Sequence, residues 1–206
     1  MKKHHSVLWV WFFAAVILLF VVRVSSVNSK YAELMPEIVH YPAQTPVAFG
    51  SNYISKSDIQ SEGYSIEVVH SEIQRTDELL EGIGEDFRYL DQFYYKGEDY
   101  EYIYLVEVEL TYTAGENQKK ESVNLQPLKL VGSDYYLDFS EEISPFLNPI
   151  LEDRTEIALV DSKSFRLILP FLIDTKSAYG MELDYIQRKP PDLLIVQYPQ
   201  EIYIDL

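Results

Sequence analysis

Apolar and polar positions alternate without a break from Tyr100 to Thr113. Tyr102, Tyr104, Val106, Val108, Leu110 and Tyr112 fall on one side. Ile103, Leu105, Glu107, Glu109, Thr111 and Thr113 fall on the other. A period of two in aromatic and β-branched residues predicts a strand with one face in a core. The other face mixes Ile103 and Leu105 with two glutamates, which predicts that it is covered at one end only.

The same period predicts further strands. Tyr64–Ile73 places Tyr64, Ile66, Val68 and His70 on one side, which makes His70 a partly buried sheet residue. Phe165–Ile173 places Phe165, Leu167, Leu169, Phe171 and Ile173 on one side. Shorter runs predict strands within Val47–Ile54, Phe87–Tyr95, Val123–Val131, Tyr135–Phe139, Glu156–Val160, Leu193–Tyr198 and Ile202–Leu206, with a weaker one at Met181–Ile186. Pro127 breaks one strand. Pro170 marks another as an edge or bulge, because proline cannot donate to a ladder. Only one short helix is expected, over Asp77–Glu81, with Thr76 as its N-cap and two acids in its first turn. Turn residues separate about eight principal strands, and helical periodicity is almost absent. The fold class predicted is all-β, an antiparallel sandwich of the immunoglobulin type spanning residues 47–206.

A different pattern opens the chain. Lys2 and Lys3 precede an unbroken apolar run from Val7 to Val22. Sixteen helical residues span roughly 24 Å, somewhat under a bilayer core of about 30 Å. Arg23 can reach the interface by snorkelling, and Trp9, Trp11, Phe12 and Phe13 suit an interfacial belt. No A-x-A cleavage site follows. Residues 1–24 are therefore expected to be an uncleaved transmembrane anchor rather than a removed signal peptide. The two lysines place the N-terminus in the cytoplasm and the rest outside the cell. Residues 25–46, interrupted by Pro36, Pro42 and Pro46, read as an extracellular tether.

Composition narrows the functions. The 206 residues include no cysteine, which excludes disulfides, thiolate metal sites and a lipid-bearing cysteine. The net charge is −16, and the first 23 positions hold three basic residues and no acid. The remainder is more acidic still and unsuited to nucleic acid. No G-x-S-x-G elbow, Gly-rich phosphate loop or N-x-[ST] site occurs.

The remaining candidates are modest. Glu107 and Glu109 share a face, and a carboxylate pair can do acid–base work, but both read better as the solvent side of a half-buried strand. Glu98, Asp99 and Glu101, and Glu81, Glu85 and Asp86, are acid clusters of the oxygen-donor type that calcium binds. Without a D-x-D-x-D-G loop they read as solvated. Of the histidines, His4 and His5 flank the anchor, His40 lies in the tether and His70 in a strand. Phe87, Tyr89, Phe93, Tyr94 and Tyr95 are spaced unlike a buried strand, and they form the candidate protein-binding patch.

The order of segments carries a resemblance. A long alternating strand ends in TYTAGEN. LKLVGSDYYL, the apolar strand FRLILPFLI and a last strand near the C-terminus follow. This plan, over Val47–Tyr198, resembles the telokin-like, immunoglobulin-fold domains of unknown function found on exported and membrane-anchored proteins of Gram-positive bacteria. Many of those carry a lipobox cysteine, which is absent here. The resemblance implies the fold and no catalytic residue or cofactor. The expectation is a non-enzymatic, membrane-tethered extracellular domain that binds a protein or envelope component. The alternative is an accessory subunit of a membrane complex such as a transporter, held through the N-terminal helix.

Overall fold

The long strand sits at the centre of the sheet predicted for it. A computed structural model describes residues 13–27, 35–50, 63–83, 100–114, 122–151, 155–158, 163–175, 182–197 and 200–206. The chain divides into two units, Met1–Pro36 and Glu37–Leu206.

The first unit contains a helix over residues 13–27. Phe13, Ile17, Leu18, Leu19, Phe20 and Val22 are all more than half exposed. At 1.5 Å per residue its 15 residues reach about 22 Å. Among the described residues, no helix is long and apolar enough to cross a membrane. Trp9, Trp11 and Phe12 lie outside the described residues.

The second unit is mostly β-structure. Its strands are β1 (Glu37–Tyr41), β2 (Val47–Ala48), β3 (Tyr64–Arg75), β4 (Tyr102–Tyr112), β5 (Ser122–Asn124), β6 (Lys129–Val131), β7 (Tyr136–Asp138), β8 (Glu156–Ala158), β9 (Lys163–Ile173), β10 (Asp192–Val196) and β11 (Gln200–Ile204). They form a four-stranded antiparallel sheet, β2-β3-β4-β9, and a five-stranded sheet, β1-β11-β10-β6-β7. A small third sheet pairs β5 with β8. The five-stranded sheet is antiparallel except where β1 runs parallel to β11.

Strand β4 pairs along its whole length with β3 and β9. Tyr104, Val106, Val108, Leu110 and Tyr112 point into a core shared with Leu130, Leu137, Leu193, Ile195, Ile202 and Ile204 of the five-stranded sheet. Burying a large apolar side chain contributes roughly 1.5–3 kcal/mol, so this shared layer supplies the main drive for folding. On the opposite face Ile103 and Leu105 form a second cluster with Ile143, flanked by Leu79, Leu147, Ile168 and Leu172. Two short helices, Thr76–Ile83 and Ser144–Leu147, contribute Leu79 and Leu147 to it. The cover stops before Glu107, as the sequence predicts.

Several expectations need correction. The described residues hold eleven strands, not eight. The folded unit starts at Glu37, not Val47, because β1 pairs residue by residue with β11 from Glu37↔Gln200 to Tyr41↔Ile204. A parallel edge strand between Pro36 and Pro42 has too few alternating positions to stand out from an irregular segment. Val123–Val131 is two strands in two sheets, β5 and β6, with the turn at Gln126 and Pro127 between them. Part of the proposed Met181–Ile186 strand is instead a helix, Leu183–Arg188. It buries only Ile186, so one apolar position on its own fits either period. Thr76 does not cap its helix: its hydroxyl is buried without a partner. The Asp77 carboxylate accepts the Glu78 N–H at 2.9 Å instead. His70 is exposed, not partly buried. A register shift between Val68 and His70 inserts a bulge, and the parity of the strand changes there. His70 thus lies opposite Glu107 on the outer face.

Candidate functional site

The described residues bring together three ligand-type side chains that are far apart in the sequence: His40, Asp192 and Asp205. Each is placed by a strand. In β1, Val39 and Tyr41 are partly buried and His40 is exposed. His40 lies opposite Tyr203 of β11, and the two rings stack at 5.0 Å between centroids with 13° between planes. Pro190 and Pro191 end the preceding helical segment, and Asp192 opens β10. Because Leu193 pairs antiparallel with Ile204, Asp192 and Asp205 meet across the strands. The Asp205 N–H donates to the Tyr41 carbonyl at 2.9 Å, which fixes the end of β11 against β1.

The His40 Nδ1 is 3.5 Å from Asp192 Oδ2 and 3.6 Å from Asp205 Oδ1. Among the described residues no lysine or arginine forms an ion pair with either carboxylate. Like charges directly opposite each other destabilise a sheet. Partial burial raises the pKa of Asp192, the nearby Asp205 charge raises it further, and His40 acts against both. Burial and the Glu201 carboxylate push the Tyr203 hydroxyl up to about 12. Tyr203 is therefore a neutral ring and a donor, bonded to Glu201 at 3.1 Å. One imidazole nitrogen and two carboxylates can hold a cation of mixed N/O preference or pass a proton between them.

Glu107 and Glu109 do lie on the exposed side of β4, but not as an isolated pair. Glu107 accepts from Arg166 Nη1 at 3.2 Å. Glu109 stands between Glu67 of β3 and Arg166 of β9. The acid clusters do not assemble either. Glu101 pairs with Arg75 at 3.1 Å, and Glu81 is exposed on its helix. Glu85, Asp86, Glu98 and Asp99 lie outside the described residues, as do Phe87, Tyr89, Phe93, Tyr94 and Tyr95. Phe13 and Arg23 are both on the helix at residues 13–27 and exposed.

Sequence reasoning missed the His40 cluster because it placed His40 in a tether. The signal was the segment EIVHY, where Val39 and Tyr41 flank His40 in strand alternation. Its pairing with the last strand is a tertiary fact that no local pattern carries.

No curated protein matches the chain, and no solved structure does. The sequence model of a family described as a domain of unknown function (DUF5028) matches residues 38–202. That match begins within β1 and ends within β11, the two strands that carry His40 and lead to Asp205. Since it covers most of the sequence, the chain belongs to the DUF5028 family.

Proposed function

We propose that the chain is a membrane-tethered, extracellular, immunoglobulin-like domain that binds a protein or envelope component and catalyses no reaction. The observation that carries this reading is the helix at residues 13–27, whose apolar side chains are exposed on all sides. A helix that is apolar all round belongs in a core or a bilayer. The apolar run continues upstream to Val7, with Lys2 and Lys3 beyond it, so the full run approaches bilayer thickness. The immunoglobulin-like kinship is supported by nine strands divided five and four about one core. The binding role rests on the aromatic segment Phe87–Tyr95 and the acidic surface.

Fractionation and protease access test the reading together. The full chain stays in the membrane pellet after alkaline carbonate, keeps its N-terminal mass, and loses its C-terminal domain to protease added outside intact cells. A chain starting at Ser25 is released. Recovery of the full chain in the soluble fraction, or loss of about 26 residues from the mature mass as a cleaved signal would require, overturns the anchor. The binding role is checked by what co-purifies from the native membrane. Replacing Phe93, Tyr94 and Tyr95 together by serine removes that partner; its retention moves the surface elsewhere.

A further inference from the structure

We infer that His40, Asp192 and Asp205 form a site for one divalent ion of the zinc class, which clamps β1 to β10 and β11. The inference is independent of the membrane reading, since all three residues belong to the folded unit beginning at Glu37.

The donor set comes first. Zinc binds imidazole nitrogen and carboxylate oxygen at about 2.0–2.2 Å in a tetrahedron. Those bond lengths put neighbouring ligand atoms about 3.4 Å apart. The two imidazole–carboxylate distances, 3.5 and 3.6 Å, already match that edge. All three ligand atoms lie within 4.8 Å of one another. Rotation of the half-exposed Asp205 side chain can close the remaining edge.

The platform comes second. His40 stands on β1 and Asp192 on β10, and Asp205 directly follows β11, the strand that lies between them. The His40 ring is held by its stack on Tyr203, and the Asp205 backbone is bonded to Tyr41. Sites on regular elements hold their geometry better than sites on loops. The third consideration is charge. Two carboxylates meet across the strands with no lysine or arginine paired to them among the described residues, and a divalent ion removes that repulsion. Calcium and magnesium prefer six or more oxygen ligands, whereas three mixed ligands and one open position suit zinc. The open position faces solvent and takes water. The ion would fasten β1, the strand through which the N-terminal unit joins the domain.

The test uses the full-length, untagged chain in detergent, with His4 and His5 replaced by alanine so that they cannot bind metal. After chelator treatment, zinc chloride is titrated by calorimetry and by thermal melting. One zinc per chain and a melting temperature raised by a few degrees are expected. Loss of an outer-shell partner alone typically costs 10–100-fold in affinity, so His40→Gln and Asp205→Asn should each weaken binding by about tenfold or more. Both side chains are at least half exposed, so both variants should melt cooperatively without metal. If either fails to fold, the imidazole NMR signals of His40 in the parent chain decide, and they should shift on adding one equivalent of zinc. Absence of zinc binding at millimolar concentration, binding unchanged in both variants, an unshifted His40 ring, or a preference for calcium would each overturn the inference.

Discussion

The two main sheets end in edges that are built differently. Over residues 168–171 the outer edge of β9 is sealed by neutral groups. The Asn148 side chain is buried, and its Nδ2 donates to the Ile168 carbonyl at 2.7 Å while its Oδ1 accepts the Ile168 N–H at 2.8 Å. The Ser140 N–H donates to the Pro170 carbonyl at 2.8 Å, and Phe139 bridges to Phe171. Residues 168 and 170 share a parity, so the N–H that Pro170 lacks would have pointed outward, away from β4. At β1 the edge strand is largely exposed, and the corner beside it gathers two carboxylates and an imidazole. An edge whose polar groups are matched one to one is a structural device against further pairing. A corner whose charges exceed their partners invites a ligand.

Asn148→Ala tests the sealed edge and should have the largest effect. It would orphan the partly buried N–H and C=O of Ile168, and an unsatisfied group of this kind costs about 1–3 kcal/mol when buried. A loss of about 3 kcal/mol is expected from the denaturant midpoint at unchanged slope. The Ile168 amide should also exchange faster with solvent. A loss below about 1 kcal/mol would show that water replaces the side chain at no great cost and that the edge is not sealed as described.

The two edges also differ in how far the sequence disclosed them. The alternation of β4 and β9 is long enough to give their faces, and Pro170 marks β9 as an edge or a bulge, of which the structure shows the edge. The half-covered outer face of β4 followed from Ile103 and Leu105 standing beside Glu107. Asn148 gave no signal, because an amide that stands in for a neighbouring strand has no local pattern. The β1 corner was hidden for a related reason. Five residues between two prolines carry little periodicity, and parallel pairing of the first and last strands is set by the core rather than by neighbours in the chain. His70 was misplaced by one inserted residue, since a period-two argument reverses at every bulge.

A carboxylate elsewhere on the five-stranded sheet sharpens the contrast. Asp134, in the turn between β6 and β7, accepts from the Tyr185 hydroxyl at 2.7 Å and from the Ser133 hydroxyl at 3.0 Å. The Tyr185 bond first, then Ser133 and the Lys189 charge, lower its pKa. This is the reverse of Asp192, because these partners favour the ionised form. A lowered folded value means that the contribution is present above the unfolded value of about 3.9 and is lost as pH falls through the folded value. Tyr185→Phe keeps the ring contact with Tyr135 and removes the hydroxyl, which donates to Asp134 and accepts from Lys189 Nζ at 3.2 Å. The variant should melt below the parent at pH 6, and the gap should narrow as pH falls below about 4. Melting curves between pH 6 and pH 2 provide the check, and a gap of constant size would mean that the bond does not depend on the charge of Asp134.

The smallest effect expected is also the most diagnostic in sign. In chelator at pH 8, Asp205→Asn removes one of two like charges that face each other across β10 and β11, and leaves the backbone bond to Tyr41 in place. Such cross-strand terms are worth about 0.2–1 kcal/mol, so the metal-free variant should be more stable than the parent by about 0.5 kcal/mol. Glu107→Gln provides the control, since Glu107 already has Arg166 as a partner and its loss should bring no gain. Adding zinc should reverse the order of Asp205→Asn and the parent, because only the parent gains a ligand. If the metal-free variant is instead the less stable, Asp205 is a partner that His40 needs in the bare protein. The β1 corner would then be matched internally like the β9 edge, and the distinction between the two edges would fall.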